Sequence, residues 1–285
     1  MKCITLLTFT LNSARDLERL LKNHVDIVDE ILVIDNFSQD DTIEVAKKYG
    51  AKVFQVKPRG CVEPNRMFGV KRASCDWVLY LDVDEILSPR LRRDLRSIVI
   101  DASRKGYAAL SIAEANLDSS GRLLLGPFWP DRHIRIYQRD KVVYKGIIHE
   151  HPRIMGRIMD LPANIYYIVH LANLNSYSRK IKIKKILNYA RLEAIMKKSL
   201  GYRNPIAKTL LYLSPLSIPL IWLYINARTI LKGYPINTPA LIEAFYNYAL
   251  YLGIAQFFMN ICGKRKREIA KKVQEIGLIQ LLRVE

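Results

Sequence analysis

The chain has 285 residues, half of them hydrophobic, with 45 Lys and Arg against 27 Asp and Glu. That apolar content excludes global disorder, and the length suits one large domain with an appendage or two small ones. Four scattered cysteines, Cys3, Cys61, Cys75 and Cys262, lack metal-ligand spacing and read as reduced thiols of a cytosolic protein.

The first ten residues carry no long apolar segment with a small-residue cleavage site, so secretion is not expected and residues 4–8 read as a strand. Asn12 and Ser13 are placed to cap a helix through Leu17, Leu20 and Leu21. A second strand at residues 30–35 ends in Asp35. Asp40 and Asp41 then open a helix that Gly50 closes, and residues 52–56 form a third strand. A helix at 65–73 leads to a fourth strand at 77–81, and Pro89 opens a basic helix to about residue 105. Repeated strand–helix units at this spacing predict a parallel sheet with right-handed crossovers. From 107 to 169 the pattern changes to short extended pieces at 108–112, 123–125, 133–138 and 165–169. These predict a mixed β continuation on the acceptor side of a cleft.

Residues 176–285 differ in character. They hold 19 basic and 5 acidic side chains, a net charge of +14 out of +18 for the whole chain. Such asymmetry points to an anionic partner, membrane or nucleic acid. Residues 209–226 lack any charge but are interrupted by Pro215 and Pro219, and residues 238–262 contain Glu243. Neither run is a clean 20-residue span. Basic flanks and aromatics such as Tyr212, Trp222 and Tyr246 fit helices lying in a membrane surface, against the alternative of a soluble helical subdomain. Because those aromatics lie within apolar runs and not among the basic residues, nucleic acid is not the expected partner.

The chemistry concentrates at strand ends. The fourth strand, Trp-Val-Leu-Tyr-Leu, runs directly into Asp82, Val83, Asp84 and Glu85. Acids at that edge of an open α/β sheet stand where such sheets bind ligands, and carboxylate oxygens suit Mg²⁺ or Mn²⁺. The plainer alternative is a solvated acidic turn. Thr10 and Asn12 after the first strand, and Asp35 after the second, reach the same edge, where Asp35 is placed to accept from a base N–H or a ribose hydroxyl. No glycine-rich phosphate loop is present, so a bound diphosphate would need a metal to carry most of its charge.

Thr10-Leu11-Asn12, residues 29–35 with Ser38 and Asp40, and residues 77–85 together resemble the inverting family 2 glycosyltransferases of the GT-A fold. The nearest branch is that of the lipopolysaccharide-core glucosyltransferases, whose strand end reads Leu-Asp-Ala-Asp-Glu where this chain has Val83. Residues 129–132, 135–139 and 148–150 continue the likeness, with His170 matching less closely. Two positions depart from the pattern: Ser13 replaces an acid, and Arg66-Met67 replaces Arg-Asn.

The resemblance implies a GT-A, Rossmann-like α/β domain over residues 1–175, with a mostly parallel central sheet, and a helical, membrane-associated region over 176–285. It implies transfer of a sugar, from a UDP-sugar by preference, to a hydroxyl of a glycolipid or polyprenyl-linked acceptor at the cytoplasmic face of a membrane. The expected metal ligands are Asp82, Asp84 and His170, with Mg²⁺ or Mn²⁺ as cofactor. Thr10, Asn12, Asp35, Arg66, Asp82, Arg132 and Arg135 are the expected nucleotide-sugar contacts. Glu150 is the first choice as base, with Asp131 second. Each keeps an alternative: Glu150 as a surface carboxylate paired with Arg153, His170 as a hydrogen-bonded core residue, and Arg132 and Arg135 as ion pairs to the acidic rim. A metal-dependent sugar nucleotidyltransferase and a non-enzymatic basic binding module are the competing functions.

Overall fold

A computed structural model describes residues 3–58, 62–117, 123–124, 129–146 and 150–171. The basic region 176–285 and its expected surface helices lie outside the described residues, as does the turn expected at 118–121. No helix among the described residues is long and apolar enough to cross a membrane.

The chain opens with β1 (Ile4–Thr10), α1 (Ala14–His24), β2 (Glu30–Asp35), α2 (Thr42–Lys48), β3 (Lys52–Gln55), α3 (Arg66–Arg72) and β4 (Trp77–Tyr80). There follow β5 (Glu85–Leu87), α4 (Pro89–Arg104), β6 (Tyr107–Leu117), β7 (Leu123–Leu124), β8 (Asp131–Gln138), β9 (Val142–Val143), β10 (Arg153–Ile154), β11 (Arg157–Asp160) and β12 (Tyr167–His170). Unbroken apolar runs make β1 and β4 buried along their whole length, as strands covered on both faces must be.

The main sheet runs β3-β2-β1-β4-β8-β6-β12-β5, with β7 and β11 also on β6. Its first four strands are parallel. The chain steps outward from β1 to β3 and then returns to lay β4 on the other side of β1. The switch point therefore falls between β1 and β4, and the carboxyl ends of those two strands flank the crevice where such sheets bind ligands. Beyond β4 the sheet becomes mixed: β8 is antiparallel to both β4 and β6, and β12 is parallel to β6 but antiparallel to β5.

This order forces the sheet to curl. β4 and β5 are separated by three strands in the sheet but by only four residues of chain, and the Glu85 amide bonds the Asp82 carbonyl at 3.0 Å in a tight turn. A flat sheet would put them about 19 Å apart at the usual strand spacing. The far end of the sheet therefore bends back toward the acidic turn.

One face of the sheet packs Leu17, Leu20 and Leu21 of α1 and Leu91, Leu95 and Val99 of α4. The other packs Val70 of α3 with Leu7, Phe9, Tyr80 and Tyr137. Gly69 permits that second contact, because a Cβ there would lie 2.8 Å from a Leu7 methyl. Gly50 closes α2 at φ +71°, as its position in the sequence anticipates.

Two local expectations change. Ser13 precedes α1 but its side chain does not cap it. The Ser13 and Ala14 amides bond instead to Thr42 Oγ1 (2.9 Å) and Asp40 Oδ2 (3.2 Å), so the start of α1 is held by the start of α2. Cys3 and Cys75 are not free thiols but form a disulfide, with Cα atoms 4.9 Å apart. The parallel register that pairs Ile4 with Trp77 brings these two strand entrances together, which 72 residues of sequence separation conceal.

His24, fully buried at the end of α1, ties the two sides of the fold together. Its Nδ1 lies 2.7 Å from the Leu20 carbonyl, and its Nε2 accepts the Leu87 amide of β5 at 3.3 Å. Those bonds require the neutral Nδ1–H tautomer. Burial lowers its pKa to about 4 from the ordinary 6.5. The unfolded chain takes up this proton first, so the stabilisation is present above pH 6.5 and is lost as pH falls toward 4. The full window corresponds to about 3 kcal/mol. In urea titrations from pH 7.5 to 4, His24→Gln should therefore show a flatter loss of stability than the wild type. Parallel curves would mean that His24 is not the proton-linked group.

Candidate active site

The turn after β4 builds one wall of the crevice. Asp82 is held from three sides: Tyr80 donates its hydroxyl to Oδ1 at 2.6 Å, Arg135 of β8 reaches Oδ2 at 3.4 Å, and the Asp82 amide bonds Glu85 Oε2 at 2.8 Å. Arg135 also pairs closely with Glu85 and lies 3.3 Å from Glu114 Oε2 in the middle of β6. One guanidinium thus serves three carboxylates. Burial, with Asp82 and Glu114 close by, pushes Glu85 well above the usual carboxylate range despite Arg135. Arg135 itself is raised, because the same acids outweigh the cost of burying its charge.

The second wall comes from β12. Its antiparallel pairing with β5 sets His170 opposite Glu85, and the Leu171 amide bonds the Asp84 carbonyl at 2.7 Å. The His170 ring lies between two acids, with Nε2 3.4 Å from Asp84 Oδ2 and Nδ1 3.4 Å from Glu114 Oε1. Burial alone would lower its pKa, but Asp84, Glu114 and Asp82 raise it.

The third wall is the start of β8, where Asp131 stands opposite Glu114 in the register. Its Oδ1 lies 3.4 Å from His133 Nε2, which in turn lies 3.8 Å from Glu114 Oε2, and His151 stacks on His133 with ring centres 6.2 Å apart. His133 holds the Asp131 carboxyl below the usual range, against the opposing effect of partial burial. At 52% side-chain exposure, Asp131 is open to an incoming molecule.

The structure thus gathers Asp82, Asp84, His170, Arg135 and Asp131 and adds Glu114, which sequence reasoning missed. Its signal was available: Glu114 is the only charged residue in the otherwise apolar and small-residue run of β6, and a charge in such a strand requires partners.

Other expected residues have different surroundings. Asp35 is fully buried and accepts from Thr10 Oγ1 (3.1 Å), Ser38 Oγ (2.5 Å), Ser38 N (3.0 Å) and Gln55 Nε2 (3.2 Å). That fills the capacity of a carboxylate. Asn12, at φ +48°, accepts the Gln39 amide at 2.7 Å and donates its own amide to Ser38 Oγ at 2.8 Å. These three residues join the ends of β1 and β2 and shape the rim of the crevice.

Arg66 stacks over Tyr80 and Tyr144, with its carbon 5.3 and 5.4 Å from the ring centres, and donates to the Glu150 carbonyl at 3.2 Å. The Glu150 carboxylate bonds the amides of Lys145 (2.6 Å) and Gly146 (2.7 Å), closing its own loop. Arg132 turns to the Ser111 and Leu161 carbonyls (3.3 and 3.0 Å) and does not meet the acidic rim, whereas Arg135 does.

A divalent cation fits this donor set at Asp84 and His170. Two ligand atoms each about 2.1 Å from one ion at a right angle lie about 3.0 Å apart, close to the 3.4 Å observed. Asp82 is drawn toward Tyr80 and Arg135. Among the described residues, the one trio of acid, His and Cys side chains whose ligand atoms lie within 4.8 Å of one another is Cys3, Asp29 and Cys75. Its two thiols are joined in the disulfide, at the opposite edge of the strands.

Residues 5–143 match the family model for Glycosyl transferase family 2. An uncharacterized glycosyltransferase of Rickettsia typhi is 36% identical over 112 residues, which is 39% of this chain and 38% of that protein. The similarity to this relative thus spans little more than a third of its length. An uncharacterized glycosyltransferase of Rickettsia conorii is 23% identical over 286 residues, covering 96% of both chains. A mannosyltransferase of Pyrobaculum calidifontis, solved with GDP-Man and Mn²⁺, aligns at 14% identity and a TM-score of 0.47, over 90% of this chain and 87% of its own.

Arg135→Met should destabilise the domain by about 3–5 kcal/mol, because it leaves buried Glu85 without its cation. The double variant Arg135→Met/Glu85→Gln should recover part of that loss. Calorimetry that finds the single variant as stable as wild type would show that the guanidinium does not hold the acidic turn.

Proposed function

We propose that this chain is a family 2 glycosyl transferase that moves a sugar, with inversion, from a nucleotide-diphosphate sugar to an acceptor hydroxyl. The observation that carries the reading is the meeting of Asp84 and His170 with the exposed Asp131 across Glu114, beside the switch point of the parallel sheet. Asp84 and His170 would hold Mg²⁺ or Mn²⁺, which would stabilise charge on the departing diphosphate. One carboxylate oxygen and one imidazole nitrogen do not by themselves distinguish the two ions.

The protein's own residues supply the rest. Arg135 and Tyr80 keep the Asp82 carboxylate in place beside Asp84. The Thr10–Asp35–Ser38–Asn12 network holds the rim against which the nucleoside lies. Asp131 takes the proton from the acceptor hydroxyl as that oxygen attacks the anomeric carbon from the face opposite the diphosphate. His133 holds the Asp131 carboxyl below the usual carboxylate range. Glu150, bound by two amides of its own loop, serves the shape of the acceptor side.

UDP-sugars are the favoured donors, and a glycolipid or polyprenyl-linked alcohol is the favoured acceptor. The acceptor reading rests on residues 176–285, whose net charge of +14 and proline-broken apolar runs suit the cytoplasmic face of an anionic membrane.

Release of nucleoside diphosphate from a panel of UDP- and GDP-sugars, with Mg²⁺ or Mn²⁺, tests the reaction. Asp131→Asn should lower kcat by about 10²–10⁴-fold while donor affinity stays near wild type, and Glu150→Gln should lower it far less. Full transfer by Asp131→Asn, with loss in Glu150→Gln, would move the base to Glu150. In sedimentation with anionic vesicles, the full chain should bind more weakly in high salt without being released completely. Equal recovery with neutral and anionic vesicles at low salt would argue against a charge-driven membrane role.

A further inference from the structure

His170 has two nitrogens, and the structure directs each to a different carboxylate. Nε2 faces Asp84 Oδ2 and Nδ1 faces Glu114 Oε1, both at 3.4 Å. Glu114 is itself fixed from its other oxygen, where Oε2 lies 3.3 Å from Arg135 and 3.8 Å from His133. The two strands that carry this pair are in parallel register, with His170 opposite Asn116 and Ile168 opposite Glu114. Glu114 thus stands two register positions back from His170, on the Nδ1 side of its ring. A histidine that ligates a cation through Nε2 keeps its ring proton on Nδ1, and a carboxylate on the Nδ1 side holds that proton and the orientation of the ring.

We propose that Glu114 is a positioning residue that holds the Nδ1 side of the His170 ring, so that Nε2 and Asp84 together form a preorganised divalent-cation site. This inference deepens the glycosyl transfer reading and rests on its assignment of Asp84 and His170 as ligands. The geometry divides the acids around the crevice into two classes. Asp84 meets the cation, whereas Glu114 acts through the ring of His170 and through Arg135, which ties it to Glu85 and Asp82. The arrangement also accounts for a lone carboxylate in β6, where it is only 12% exposed.

The test uses the full chain and Mn²⁺ alone. Mn²⁺ affinity is read by electron paramagnetic resonance of the free ion. Glu114→Gln should bind Mn²⁺ about 10–100-fold more weakly than wild type. A role limited to pairing with Arg135 would lower the melting temperature of Glu114→Gln but leave the affinity unchanged, and that result would overturn the inference. If Glu114→Gln does not fold, Glu114→Asp keeps the charge beside Arg135 while withdrawing it from Nδ1. It should still weaken Mn²⁺ binding, and wild-type affinity there would equally overturn the proposal. Asp84→Asn separates the two levels. If it abolishes Mn²⁺ binding while Glu114→Gln does not, the metal site stands and the positioning role fails. If wild type binds no Mn²⁺, the donor reading fails and this inference with it.

Discussion

The crevice depends on one buried cation. Arg135 reaches Asp82, Glu85 and Glu114, which come from the turn after β4, the start of β5 and the middle of β6. Without it, the curl that brings the far end of the sheet back to the acidic turn would press several carboxylates together in a poorly solvated space. Burying one charge costs several kcal/mol unless it is paired and hydrogen-bonded. The guanidinium makes the turn possible, but a single positive charge does not balance three acids. The imbalance shows in Glu85, whose carboxyl burial and the neighbouring acids push well above the usual range.

The two halves of the crevice are built differently. On the side of β1 and β2, Asp35 is saturated by four donors and acts through the shape of the loop it holds. On the side of β6, β8 and β12, Asp131, His133, Glu114 and His170 form a connected series of imidazoles and carboxylates in which each imidazole lies between two acids. The first half is rigid and already satisfied internally. The second is more open, with the Asp131 side chain 52% exposed.

The parallel half of the fold was legible because it rests on local signals. Buried strands read as unbroken apolar runs, and β1, β2 and β4 fall within two residues of their expected bounds. The acids at Asp35, Asp82 and Asp84 were legible because they end those runs. What escaped the sequence is what long-range pairing decides. The register of β1 on β4 joins Cys3 to Cys75, the pairing of β12 with β5 delivers His170 to Asp84, and a register irregularity between β6 and β8 accompanies the turning of Arg132 away from the rim. Glu150 ends an extended segment and looks like a base by position. Two amides of its own loop, which no periodicity announces, engage its carboxylate.

The most direct measurement is anomalous X-ray scattering from crystals of the full chain grown with Mn²⁺ and UDP, recorded at the manganese edge. The account predicts one strong peak between Asp84 Oδ2 and His170 Nε2, with the diphosphate of UDP on the open side of that peak. A peak elsewhere, or ordered diphosphate in the crevice with no manganese beside Asp84 and His170, would contradict it.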